Sequence, residues 1–197
     1  MNKKRKAVIE SNRISAVEEF NLGGYPQKVL IEGKSENLPV VTTLHGGSGS
    51  PILFCVGARG LFPEFTDNCI LVSWDQYGCG SNNAKLPDDT SINDFADMTV
   101  DLIREIKDRF PNNPVWLLGV SWGSVLSAMV AGRHPEMIDG VIAYGQVLYQ
   151  LIQSKETIDA LMTSKAPERT KAEIKAAAES KSMDKKTVMK LSGAIKK

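Results

Sequence analysis

Between an apolar run and a helical pattern stands Gly119-Val120-Ser121-Trp122-Gly123, a serine with a glycine two residues to either side. Serine is a weak nucleophile unless its hydroxyl is presented freely and a base takes its proton. A strand that turns directly into a helix presents it well, but side chains beside the serine collide in so sharp a turn. Glycine at 119 and 123 removes those collisions. The turn then lifts the Ser121 hydroxyl above the sheet edge and sets it at a helix N-terminus. There the dipole and the unpaired N–H groups favour developing negative charge. The chemistry this suits is acyl transfer through a covalent intermediate on Ser121.

Acyl transfer also needs two N–H donors where the oxyanion forms. The serine turn offers one, the N–H of Trp122. About 75 residues earlier, His45-Gly46-Gly47-Ser48-Gly49 directly follows a short apolar run. Its glycines let backbone approach a reacting carbonyl, and Gly47 or Gly46 is expected to supply the second donor. His45, which opens this loop, is expected to brace its backbone rather than act as a base. A third segment, Trp74-Asp75-Gln76-Tyr77-Gly78-Cys79-Gly80-Ser81, ends another apolar run in a tight turn. Asp75 is assigned a supporting role there, bonding nearby backbone N–H groups.

Periodicity indicates the strands and helices that hold these residues in place. Ile14 to Leu22 and Gln27 to Glu32 read as two strands joined by a turn-rich Asn21 to Pro26, an antiparallel hairpin. Pro39 to Leu44, Ile70 to Trp74, Val115 to Leu118 and Val141 to Tyr144 read as buried strands. Ile92, Phe95, Met98, Leu102, Ile103, Ile106 and Phe110 fall on one helical face, with Ser91 and Asp94 spaced as a capping box. A second helix runs from Ser124 to Arg133 and stops at His134-Pro135. Alternation of strand and helix implies right-handed crossovers and a mostly parallel sheet. Beyond Gln146 no strand pattern appears, and Ile158 to Met162 and Arg169 to Ala178 look helical. The expected organisation is therefore 1–146 as one α/β unit and 147–197 as a separate helical element.

Taken together, the three motifs resemble the prolyl aminopeptidase (proline iminopeptidase) branch of the α/β-hydrolases, which typically reads HGGPG, WDQRGxGxS and GGSWG. The resemblance runs from about Ile14 to Gln146. It departs at Ser48, where proline is usual, at Tyr77, where arginine is usual, and at Val120, where glycine is usual. It implies an α/β-hydrolase fold followed by the start of a helical cap. Ser121 then matches the family nucleophile, and the loop glycines with Trp122 match its oxyanion hole. The implied substrate is a small peptide or amide with a free N-terminus, held in that family by cap carboxylates. Glu156, Asp159, Glu168 and Glu173 match no motif for that role and read as surface acids.

The family orders its triad as Ser, then Asp or Glu, then His. The two histidines here, His45 and His134, both precede any C-terminal catalytic loop. His134 ends the helix that Ser121 begins, and at ~1.5 Å per residue it stands roughly 15–20 Å away. The triad acid and histidine are therefore unidentified, and the sequence reads as stopping inside the cap. An incomplete sheet would expose an apolar edge and invite self-association. Three readings stay open: a peptidase of the aminopeptidase type, a truncated non-catalytic scaffold or binding module, and a carboxylesterase.

Composition narrows the rest. The 197 residues are 42% hydrophobic with net charge +1. Residues 1–150 hold 13 Lys/Arg against 17 Asp/Glu, and residues 151–197 hold 11 against 6. The basic segment interleaves acids and has no aromatic residue after Tyr149, so it reads as a solvated helical surface rather than a nucleic-acid site. No run of 18 apolar residues suggests a membrane span, and no apolar stretch follows the basic start as a secretory signal would require. Cys55, Cys69 and Cys79 form neither an even set nor a CxxC pair and read as free thiols of the cytoplasm. Two distant histidines without HExxH exclude a zinc site, and no dinucleotide motif follows the first strand, so neither metal nor cofactor is expected.

Overall fold

A computed structural model describes residues 2–47, 49–51, 53–147 and 155–179. The chain divides into two compact units, 1–147 and 148–197. The first holds a six-stranded sheet in the order β1-β2-β4-β3-β5-β6, from Ile14–Leu22, Tyr25–Gly33, Val40–Leu44, Ile70–Trp74, Val115–Val120 and Gly140–Tyr144. β1 and β2 form an antiparallel hairpin, β2 runs antiparallel to β4, and β4, β3, β5 and β6 are mutually parallel. The hairpin closes on Gly23 and Gly24, both at positive φ (63° and 84°). Those angles match the tight turn that joins strands with right-handed twist.

The expected strands all form, two with the expected bounds and the others with ends shifted by at most two residues. The hairpin, the central parallel strands and the long helix α3 (Ile92–Arg109) are where the periodicity places them. At the start of α3, the Ser91 N–H and hydroxyl both donate to the Asp94 carboxylate (2.6 and 2.7 Å). The helix after Ser121, α4, begins at Trp122 rather than Ser124 and ends at Arg133. Two helices lie outside the expected set, α1 (Lys3–Ser11) and α2 (Pro63–Thr66). α1 buries no residue and so carries no apolar stripe for periodicity to detect. It is capped by Asn2 and held through Arg5, whose guanidinium donates to the Gly57 and Arg59 carbonyls.

β3 sits at the centre of the sheet because its residues can be buried on both faces. The core gathers Val29, Ile31, Val40, Leu44, Val72, Trp74 and Leu117 from the strands with Met98, Leu102, Ile103 and Ile106 of α3 and Leu126 and Val130 of α4. At ~25 cal/mol per Å² of apolar surface removed from water, each such side chain contributes about 1.5–3 kcal/mol. Among the polar side chains buried here, one bridges two strands. Gln27, fully buried, donates to the Leu22 carbonyl (2.9 Å) and accepts from the Trp74 indole N–H (2.9 Å).

The second unit contains α5 (Lys155–Thr163) and α6 (Glu168–Glu179). Leu161 and Ile174 are buried between them, with Ile158 and Ala166 packed alongside. Of the carboxylates considered for the cap, Glu168 pairs with Lys171 (2.9 Å) and Glu173 with Arg169 (3.1 Å). The Glu156 side chain, and the cap expectation for 180–197, fall outside the described residues.

Candidate active site

β5 ends at Val120, Ser121 follows with φ 49° and ψ −114°, and α4 begins at once. A positive φ on a residue with a side chain is strained, and such strain gathers at functional sites. It persists here because the surroundings fix both sides of Ser121. Its N–H donates to the Tyr144 carbonyl of β6 (2.9 Å), and its carbonyl accepts from the Ser124 N–H (2.9 Å) and hydroxyl (2.5 Å). The Ser121 side chain remains exposed at the C-terminal edge of the parallel strands.

The two flanking glycines are sterically required. A Cβ on Gly119 would stand 2.5 Å from Ser127 Oγ and 2.7 Å from the Gly123 carbonyl oxygen. A Cβ on Gly123 would stand 1.9 Å from the Leu44 oxygen and 2.9 Å from that of His45. The start of α4 is thus pressed against the end of β3, which brings the glycine loop to the serine. Gly46 approaches so closely that a Cβ there would meet Ser121 Cβ at 3.2 Å. Gly47 has φ 50°, and Ser48 lies outside the described residues.

His45 is 2% exposed. Its Nε2 accepts from the Gln76 N–H (3.0 Å), which fixes that nitrogen as unprotonated and leaves Nδ1–H to donate to the Gly46 carbonyl (3.1 Å). Burial lowers its pKa, opposed by the Gly46 carbonyl and the Asp75 charge, so the ring stays neutral. Gln76, which sequence reasoning did not single out, is the connector. Its amide donates to the His45 carbonyl (3.2 Å) and accepts from the Trp122 indole (3.0 Å). Loop, turn and helix start are joined through one side chain. The signal was limited to Gln76 lying inside a recognised motif.

Asp75 accepts from the Val56 N–H at one oxygen (2.9 Å) and from the Ser81 N–H at the other (2.7 Å). Gly80 leaves it room, since a Cβ there would be 2.3 Å from Asp75 Oδ2. His134 caps the far end of α4, its Nδ1 3.7 Å from Glu136. The structure thus brings Ser121, Trp122, Gly46, Gly119 and Gly123 together with His45, and leaves His134 apart. Burial pushes the Cys69 and Cys79 thiols up to about 11, so both stay protonated. Among the described residues no cluster of His, Cys, Asp or Glu is arranged to hold a metal ion, and no helix is long and apolar enough to cross a membrane.

Strand order, sharp serine turn and glycine loop together define an α/β-hydrolase core, and residues 39–171 match the alpha/beta hydrolase fold family. The chain belongs to that family. Among curated relatives it is 29% identical over 141 residues to a probable aminopeptidase, YbaC, of Bacillus subtilis, covering 71% of this chain and 44% of that protein. It is 30% identical over 115 residues to the proline iminopeptidase of Neisseria gonorrhoeae, covering 57% and 34%. A solved proline iminopeptidase-related protein, TTHA1809 of Thermus thermophilus, shares the fold with a TM-score of 0.58 at 20% identity, over 82% of this chain and 56% of that one. The chain spans less than half the length of these curated relatives.

Proposed function

We infer that this chain carries the nucleophile of a serine hydrolase of the aminopeptidase type, acting on a small peptide or amide with a free N-terminus. The observation that supports this most is the strained backbone of Ser121, held exposed at a helix start by glycines that tolerate no Cβ. Ser121 Oγ would bond the substrate carbonyl carbon while its proton passes to a base. The amine then leaves, and water releases the acid from the acyl-enzyme. The Trp122 N–H and an N–H of Gly46 or Gly47 would receive the oxyanion, and the His45–Gln76–Trp122 chain would keep those donors in register. The substrate class comes from the relatives named aminopeptidase and proline iminopeptidase.

A second reading, a binding module that retains the turn without turnover, is favoured by one observation. His45 Nε2 is already engaged by the Gln76 N–H, and His134 sits at the opposite end of α4. A fluorophosphonate probe separates the two, because it needs an activated serine and working oxyanion donors but no particular substrate. Labelling detected by intact mass, and lost in Ser121→Ala, is the expected result. A folded chain that takes no label lacks an activated serine, as the binding module would and as the front part of a longer hydrolase would. Faster turnover of a short acyl ester than of a proline amide would instead identify a carboxylesterase.

A further inference from the structure

Ser124 stands one residue past the glycine that closes the serine turn, and it is fully buried. A serine in a helix commonly turns its hydroxyl back on a carbonyl of the preceding turn. Ser124 does so, donating to the Ser121 carbonyl (2.5 Å). A hydroxyl has a single proton to give, so that bond commits it and leaves only lone pairs. One of these accepts the N–H of Val147 (3.0 Å), 23 residues on.

The other anchor of the turn comes from the same place. The Ser121 N–H donates to the carbonyl of Tyr144, the last residue of β6 (2.9 Å). One short segment, 144–147, thus holds Ser121 at both ends: directly at its N–H, and at its carbonyl by way of Ser124. Gly145 lets the segment reach both. Its φ of 62° turns the chain after the Tyr144 carbonyl and brings the Val147 N–H back to Ser124. Ser121 itself, at φ 49°, keeps that conformation only while its surroundings over-determine it. The Ser124 N–H also bonds the Ser121 carbonyl (2.9 Å), but it belongs to the helix the turn begins. The Val147 bond ties the turn to chain outside that strand and helix.

We propose that Ser124 is a positioning residue for Ser121. Its hydroxyl couples the strained turn to the chain leaving β6, so that residues 144–147 set how firmly Ser121 is held in its left-handed form. Bonds accepted and donated at one hydroxyl reinforce each other. Loss of the Val147 bond therefore weakens the hold on the Ser121 carbonyl and loosens Tyr144, which shares the segment. The catalytic consequence rests on the serine-hydrolase reading of Ser121, whereas the coupling itself does not.

Ser124→Ala, Ser124→Thr and Gly145→Ala test it in the full chain. A Cβ on Gly145 meets no atom within 4 Å, so that change acts through φ alone. Amide exchange is read at Ser121, whose bond to Tyr144 none of the three removes, against Ile103 of α3, which reports global opening. Relative to Ile103, exchange at Ser121 should quicken roughly three- to tenfold in Ser124→Ala and in Gly145→Ala, the equivalent of one lost hydrogen bond. Ser124→Thr keeps the hydroxyl and should match the parent. The double variant Ser124→Ala/Gly145→Ala should exchange no faster than the quicker single, because both changes break one link. The saturating rate of fluorophosphonate labelling should fall in both singles, with the half-saturating probe concentration unchanged. Unchanged exchange at Ser121 in Ser124→Ala, or effects that add in full in the double variant, overturns the coupling. A parent-like saturating rate in a variant with quickened exchange overturns the positioning role. A parent that takes no label bears on the activation of Ser121 and not on the coupling, which exchange decides by itself. If a change at 124 loses its dichroism, Gly145→Ala is read alone, and unchanged exchange at Ser121 there overturns the proposal.

Discussion

Gly123 has no room for a single added carbon, because the carbonyl of Leu44 occupies the place. Gly123→Ala should therefore lower stability by about 3 kcal/mol, the upper range for overpacking, seen as a drop in the urea midpoint. His45 makes a prediction about pH. Its pKa is lowered in the folded chain, so the unfolded chain takes up a proton first as pH falls. Its contribution to stability is complete above the ordinary value of about 6.5 and declines as pH falls from there toward the lowered folded value. His45→Gln should flatten that part of the stability curve, measured by urea melts between pH 5 and 7.5. The glycines and Ser121 were legible because a tight strand-to-helix turn demands small residues at fixed spacing. Gln76 was not, because its bonds to His45 and Trp122 join segments distant in sequence, and no spacing encodes such a link.

At the level of elements, the hairpin depends on more than its turn. Gln27 ties the end of β1 to Trp74 of β4 inside the core. Gln27→Leu would strand the Trp74 N–H and the Leu22 carbonyl, each costing about 1–3 kcal/mol when buried without a partner. A loss of about 3 kcal/mol in equilibrium unfolding is expected. The strands and α3 were readable because each buries a face, and burial leaves a period in the sequence. α1 and α2 were not. α1 is held by a capping Asn2 and by Arg5 on two loop carbonyls, and α2 is a four-residue turn begun by Pro63. Neither mode of support writes an apolar repeat.

For the whole molecule, the two units differ in what sustains them. The core of the first is drawn from residues 14–141, so 1–147 expressed alone should unfold cooperatively in urea. A broad, gradual transition would show that its core depends on residues 148–197. Among the described residues the second rests on Leu161 and Ile174, and the two helices described there are 9 and 12 residues long. Helices shorter than ~12–15 residues are marginal in water by themselves. A peptide of residues 155–179 should accordingly show little helical dichroism. Membership of the hydrolase family was legible from three short motifs, because their glycines reflect backbone geometry that the fold imposes. The strand order carries one more consequence, for biosynthesis. β3 is central, yet β5 on one side of it begins about 70 residues later in the chain. At a translation rate of ~5–20 residues per second, the nascent β3 waits roughly 4–14 s for that neighbour. Through that interval one rim of the future sheet centre stands bare at the ribosome, where holding chaperones act.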